Sequence, residues 1–389
     1  MNNIYLDHAS TTYVDKRVFN KMLPFFSHFF GNPSSLHLAG RITKQAIDKA
    51  RADIAKILGA KKEEVVFTGS GTESDNLAII GAALANTKSG KHIIVSKIEH
   101  KAVLEAAKKL EKHGFKITYL NVDNSGLVKL SDLKRKLRRD TILVSVQYAN
   151  NEIGTIQQIS EISEIIKKFR KDRQSPLFHT DACQAAGVLT LDVNKLGVDL
   201  LTFNGSKIYG PKGVGCLYVR RGTKLEPQIV GGGQEMGLRS GTENVPLIVG
   251  LSEALKLAEE TKQQENKRQI QLRDYFIKKV LKSIKDVNLN GHSQKRLPNN
   301  INISVKGVEG ESLLLMLDKY GIYCSTGSAC SSTDLTISHV LAAIGLFPEL
   351  AQGSIRLTLG RDTDKKKMDY VLKILPIVID KLRKISSVK

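Results

Sequence analysis

Residues 177–220 read LFHTDACQAAGVLTLDVNKLGVDLLTFNGSKIYGPKGVGCLYVR. Three apolar runs stand out, Leu177 to Thr180, Asp199 to Phe203 and Gly215 to Arg220, and runs of this kind are expected where a strand is covered on both faces. The first ends in Asp181 and is followed by Gln184; the second is followed by Gly205 and Lys207, with a Gly210-Pro211 turn beyond. A carboxylate and a lysine therefore stand just past the carboxyl ends of two strands, where ligands bind in open α/β sheets. A lysine there can form a Schiff base, and a carboxylate there can pair with a protonated pyridine nitrogen, the arrangement that lets pyridoxal phosphate act as an electron sink. Taken singly, each residue also has a plainer reading: Lys207 as an exposed loop lysine, Asp181 as a helix N-cap, Gln184 as a solvated helix residue.

The same alternation extends toward the N-terminus. Glu64 to Thr68, His92 to Ser96, Ile117 to Asn121 and Thr141 to Tyr148 read as strands, and Glu73 to Ala85, Lys101 to His113 and Ile159 to Arg170 as helices. Right-handed crossovers assemble these into one mostly parallel, seven-stranded sheet sandwiched by helices, an α/β fold. Ile42 to Leu58 repeats apolar residues at helical spacing and stops at Gly59, a common helix terminator. From Val249 to Ile284 the chain is charged and helix-favouring, without Gly after 250 or any Pro. The domain boundary is expected within it, giving a large domain over 14–257 and a smaller α+β domain over 1–13 and 258–389. The smaller one offers strands around Asn300 to Val305 and Ser354 to Leu359, a Gly- and Ser-rich loop at 325–332 and a terminal helix from about Lys366.

With 389 residues the chain exceeds the usual size of a single core. No uncharged apolar stretch approaches the roughly 18–20 residues of a membrane span, and MNNIYLDHASTT carries neither an export nor a lipidation pattern. No membrane association and a cytoplasmic location are expected. The cysteines at 183, 216, 324 and 330 form no CxxC pair and no disulfide framework, which fits a reducing compartment. Lysine and arginine outnumber the acids 59 to 39, for a net charge of +20. The basic runs KRKLRR (134–139), KKFRKDR (167–173) and KKK (365–367) read as solvated helix faces, and direct nucleic-acid binding is not expected.

FTGSGTESDN (67–76) passes from strand to helix, with Gly69 and Gly71 permitting a tight turn and Thr72 at the helix start. Amides at a helix N-terminus favour a phosphate, although a plain turn with an N-cap has the same sequence. Neither GxGxxG nor a P-loop occurs, so a dinucleotide or P-loop nucleotide is not indicated.

With YLDHASTT (5–12), GNPSSLH (31–37), EHKAV (99–103), NNEIGTIQ (150–157), GGGQEMGLRSGT (231–242), STGSACSS (325–332) and GSIRLTLGR (353–361) added, the chain resembles, nearly end to end, the cysteine desulfurases of the class V aminotransferase group. These are pyridoxal-phosphate enzymes of fold type I that supply sulfur for iron–sulfur clusters and tRNA thiolation. The resemblance implies that Lys207 holds the cofactor as a Schiff base and shuttles the α-proton, that Asp181 pairs with the pyridinium nitrogen, that Gln184 donates to the ring hydroxyl, and that His100 stacks on the ring. It assigns the phosphate to Gly71, Thr72, Asn204 and Ser206, with Thr242 from the second subunit of a homodimer. Asn151 and Arg356 would grip the α-carboxylate of L-cysteine. Cys330 would take the sulfur as a persulfide, leaving alanine, and pass it to an acceptor protein of iron–sulfur assembly or tRNA thiolation. No metal is implied.

Relatives mostly carry Ser and His where this chain has Asn204 and Ser206, and both replacements still donate hydrogen bonds. Read alone, His100 is equally a helix cap, Arg356 a surface ion pair and Cys330 an idle loop cysteine. Cys183 and Cys216, beside apolar strands, are expected to be buried and inert; Cys324 reads as a buried strand cysteine, with redox partnership to Cys330 as the alternative. Two rival readings stay open at this level, another pyridoxal-phosphate enzyme of the same fold and a non-catalytic protein that kept it.

Overall fold

The computed structural model describes residues 3–171, 173–326 and 337–385. In chain order the first eight strands are β1 (Ile4–Tyr5), β2 (Val65–Thr68), β3 (His92–Ser96), β4 (Lys116–Leu120), β5 (Thr141–Ser145), β6 (Leu177–Asp181), β7 (Leu200–Asn204) and β8 (Gly215–Val219). β2 to β8 form one sheet in the order β2-β8-β7-β6-β5-β3-β4. Only β8 runs antiparallel to its neighbours; every other pair is parallel.

Strand side chains alternate between two apolar layers, as the period of two dictates. Ile94, Val144, Phe178, Leu201 and Tyr218 pack into one, with residues of the helices Leu38–Leu58 and Ile159–Arg170. Ile93, Val95, Leu143, Leu177, Leu200 and Leu217 enter the other, with the helical run 71–85 and the helix Lys101–Glu111. Each such side chain contributes about 1.5–3 kcal/mol through its burial. After β3 the chain moves outward to β4 and then returns to the other side of β3 as β5. The crevice at the carboxyl ends of β3 and β5 is therefore the topological switch point, where open α/β sheets bind ligands.

The remaining strands are β9 (Val287–Leu289), β10 (Asn300–Val305), β11 (Ile322–Tyr323) and β12 (Ser354–Thr358). β12-β10-β9 is an antiparallel sheet, and β1 pairs in parallel with β11. These elements build a second apolar core, to which Ile4 and Leu6 also belong. The helix Val245–Ser283 joins the cores: Val245, Leu251 and Leu255 pack in the first, Phe276 and Val280 in the second. Among the described residues no helix is long and apolar enough to cross a membrane.

Several elements differ in extent from the sequence expectation; the helix expected over Ile42 to Leu58, for one, begins at Leu38 with His37 as its cap. The long helix begins at Val245, four residues before the expected Val249, because Pro246 sits in its first turn, where a missing N–H costs nothing, and Asn244 caps it. β5 ends at Ser145, short of Tyr148, because the Gln147 amide turns from the ladder to Glu99 Oε1 at 2.8 Å. The helix expected over Glu73 to Ala85 starts at Gly71, with Ser70 as its cap, and holds a π-helical turn over Leu77–Gly81. The Gly81 carbonyl accepts from the Glu226 amide at 3.0 Å.

Glu235 and Met236 adopt φ of 49° and 58°, uncommon for residues with a side chain. Glu235 is held there by Arg51, whose two terminal nitrogens donate to its carboxylate at 2.8 and 2.7 Å, and by the Phe67 amide at 2.8 Å. The pair is nearly dry, with the two side chains 10% and 2% exposed. Arg51→Met strands the buried carboxylate and is expected to cost about 3–5 kcal/mol in urea unfolding; a loss within experimental error would show that the pair anchors nothing.

Candidate active site

A cavity of about 420 Å³ opens at the switch point, within the range of small-molecule and cofactor sites. The Gly71 end of the helical run 71–85, the loops after β3, β5, β6 and β7, and the N-terminal segment at Ala9 and Ser10 line it. Arg356 of β12 and residues 337–339 also line it.

Asp181 ends β6 and accepts from the Cys183 amide at 2.8 Å, so its capping and its pocket position are one arrangement. Lys207 enters from the turn after β7, and its Nζ donates to the Ser10 carbonyl. Gln184 is not solvated; its Nε2 donates to the Ala9 carbonyl at 3.0 Å. His100 caps the helix Lys101–Glu111, Nδ1 accepting from the Ala102 amide at 3.1 Å. That fixes Nε2 as the protonated nitrogen of the neutral ring. Capping and pocket lining are thus both true of His100.

At the Gly71 cradle a Cβ would lie 2.8 Å from both Asn204 Nδ2 and Cys183 Sγ, so a larger residue would have to push both side chains aside. Ser206 donates to Asn204 Oδ1 at 3.2 Å. Asn204 and Ser206 are therefore bonded to each other, and the Asn204 amide nitrogen remains for the cradle. Cys183 is buried as expected, and it also lines the cavity, where the chain turns past Asp181 at the strand end. Burial, reinforced by the Asp181 charge, pushes its thiol pKa up, as suits an inert cysteine. Cys216 lies in the first core and Cys324 in the second, burial pushing the Cys324 thiol up to about 12. Cys330 lies outside the described residues.

Arg356 is 3% exposed and no surface ion pair. Its Nη1 donates to the Asn151 carbonyl at 2.9 Å, and its Nη2 to Asp7 Oδ1 and Ser10 Oγ at 2.8 Å each. Nε has no protein partner. A buried cation with donor capacity to spare, beside Asn151, suits a carboxylate. Thr242 is not in this cavity; it borders a separate depression with Gly69, Arg239 and Glu243.

The sequence reading missed Asp75, Glu99, Glu152 and His339. Asp75, Glu152 and His339 line the cavity, and Glu99 sits behind it with one carboxylate oxygen unpartnered. His339 Nε2 lies 2.9 Å from the Glu99 carbonyl. Among the described residues no group of three or more His, Cys, Asp or Glu is arranged to hold a metal ion.

The donor set fits one kind of group. Helix-start amides with Thr72 and Asn204 suit a phosphate. Asp181 opposite the Lys207 amine suits a pyridine nitrogen and an aldehyde. Fold and site together define a pyridoxal-phosphate enzyme of fold type I. Residues 4–371 match the family Aminotransferase class-V. The cysteine desulfurase IscS of Dictyoglomus turgidum is 54% identical over 99% of this chain and 97% of its own length. Cysteine desulfurase IscS 1 of Archaeoglobus fulgidus is 50% identical, covering 98% of each. Among solved structures, a NifS-like protein superposes with a TM-score of 0.91 at 38% identity, over 97% of this chain and 100% of that one. SspA in complex with cysteine gives 0.80 at 37%, over 92% and 98%. The chain belongs to the class-V aminotransferase family.

Glu152 generates a prediction. Burial pushes its carboxyl up to about 7 from 4.5, against the lowering influence of Ser338, Arg356 and His100; Ser338 donates to it at 2.5 Å. Between these values the folded protein holds a proton that the unfolded chain has released. Stability therefore falls as pH rises through this window, by up to about 3 kcal/mol, and is flat above it. Glu152→Gln should remove that part of the slope in urea unfolding at pH 5 and pH 8. An unchanged slope would mean that Glu152 does not titrate there.

Proposed function

We propose that the pocket desulfurates L-cysteine, releasing L-alanine and leaving the sulfur on Cys330 as a persulfide. One observation carries this reading. The segment that bears Cys330 leaves β11 at Ser325, whose amide and carbonyl pair with those of Arg356 at 3.1 and 2.7 Å, and Ile337 at its other end lines the cavity. One end of the thiol-bearing segment is thus paired with the arginine assigned to the carboxylate, and the other end lines the same cavity. The relatives named cysteine desulfurase and the structure titled as a complex with cysteine support the substrate.

When bound, pyridoxal phosphate withdraws electrons from the substrate's α-carbon. Lys207 would hold the cofactor, release it to the substrate amine, and then move the α-proton. Asp181 would balance the ring-nitrogen charge, Gln184 donate to the ring hydroxyl, and His100 cover the ring face. Gly71, Thr72, Asn204 and Ser206 would hold the phosphate. Arg356 and Asn151 would fix the substrate carboxylate so that its sulfur faces the Cys330 thiolate. Attack there forms the S–S bond and breaks the C–S bond, and Lys207 returns a proton as alanine forms. Cysteine and a thiol become alanine and a persulfide, with no outside oxidant or reductant.

Thr242 would complete the phosphate site of a second copy in a homodimer. Its separation from this chain's cavity supports that, as do Val230 and Met236 nearby in sequence, which are 78% and 50% exposed. We assign the large domain to 14–257 and the small one to 1–13 and 258–389, a cytoplasmic location, and an acceptor protein of iron–sulfur assembly or tRNA thiolation.

The purified protein given pyridoxal phosphate, L-cysteine and a thiol reductant should yield alanine and sulfide in equal amounts. Cys330→Ala should stay yellow and form no alanine. Normal turnover by that variant would overturn the persulfide assignment, and a protein that takes up no cofactor would overturn the enzyme.

A further inference from the structure

Three buried carboxyl groups cluster behind the pocket floor, and the proposed chemistry uses only Asp181. His179 and Asp181 alternate with the core residue Phe178 along β6, so both side chains face the helical run 71–85. Asp75 projects from that run to meet them. It is 1% exposed, and its Oδ1 lies 3.6 Å from His179 Nε2. Thr202 hydrogen-bonds to the Asp75 carboxyl, yet Oδ1 has no partner, although the residue lines the cavity.

The imidazole cannot supply a compensating charge. Its Nδ1 lies 2.9 Å from Ser145 Oγ and its Nε2 3.2 Å from Thr202 Oγ1, and burial lowers its pKa to about 4, so it is neutral at pH 7. Burial first, then the Asp181 charge, hold the Asp75 carboxyl well above the usual carboxylate range. Two carboxylates in one dry site cannot both ionise cheaply, and a buried oxygen left without a partner is costly unless the group carries a hydrogen to give. Cys183 and Lys207 are the other titratable groups at this floor.

The geometry points to Asp75 as a positioning residue: a neutral carboxylic acid whose hydrogen is directed to the Asp181 carboxylate, orienting it toward the ring nitrogen of the cofactor. This rests on pyridoxal phosphate occupying the cavity. Asp75 thereby holds the negative charge at the floor to one and steadies the group that bears it.

The test compares Asp75→Asn, which is neutral and keeps a donor, with Asp75→Val, which is similar in size and has none. Cofactor dissociation constant and the pH midpoint of the bound cofactor's absorbance are read, with thermal unfolding of the apoprotein as the folding control. Asp75→Asn should match the wild type in both. Asp75→Val should bind the cofactor at least ~10-fold more weakly, the loss expected for a hydrogen bond to a charged group. Its midpoint should rise, because an Asp181 charge with one donor fewer favours the protonated cofactor. The proposal is overturned if Asp75→Val binds and titrates as wild type, or if Asp75→Asn lowers the midpoint, since Asp75 would then be acting as a charge. Should Asp75→Val fail to fold, the Asp75→Asn midpoint decides alone. Failure of the wild type to take up cofactor would instead overturn the reading of the cavity.

Discussion

The guanidinium of Arg356 is where the two cores become one site. It comes from β12 of the second core, and its hydrogen bonds reach Asn151 after β5 and Asp7 and Ser10 near the N-terminus. Removing a charge this size from water is expensive unless every bond is well made. The surrounding backbone is accordingly committed to it: Ser325 pairs with its amide and carbonyl, and Ser10 also accepts from it while receiving Lys207 on its own carbonyl. The N-terminal segment, the first core's loops and the start of the Cys330 segment are thereby fixed relative to one another by a single residue, through its side chain and its backbone.

Around that cation the site is arranged as a gradient of charge. Asp7 balances Arg356 directly. Deeper, Glu152, Glu99 and Asp75 are buried carboxyls whose surroundings favour the neutral form. Asp181 stands between these zones at a strand end. Perturbed carboxyls concentrated in one crevice mark a functional site rather than a structural one, and the apolar layers on either face of the sheet hold them out of water.

Much of this was legible in the sequence because the relevant physics is local. Apolar runs ending in Asp181 or followed by Lys207 announce strand ends, and seven such runs announce the sheet. Gly71 and Thr72 were readable as a cradle, since a helix start binds anions wherever it occurs. What was not legible depends on contacts distant in sequence. Glu152 and Glu99 look like ordinary surface acids until Ser338 and Gln147 are seen beside them; the one available signal was their position inside the apolar-flanked runs NNEIGTIQ and EHKAV. Asp75 follows Thr72 by three residues, which places both on one side of a helix, a signal that could have drawn it into the site. Cys183 was readable as buried, but its place on the cavity wall depends on the turn that follows Asp181. The role given to Arg356, some 150 residues from Lys207, came from the resemblance alone, as no periodicity links the two.

The helix Val245–Ser283 has a consequence beyond packing. Between Ala258 and Gln269 none of its residues is fully buried, and those that touch the rest of the fold do so mainly through the polar ends of Lys262, Asn266 and Arg268. Their number is another matter. One inserted residue would turn everything beyond it by about 100° and move it 1.5 Å, swinging Phe276 and Val280 away from their core and Arg356 away from the crevice. The length of this stretch is therefore more tightly constrained than its letters, with Asn266 and Arg268, which bond to the backbone at Val188, Gly360 and Thr363, as the exceptions.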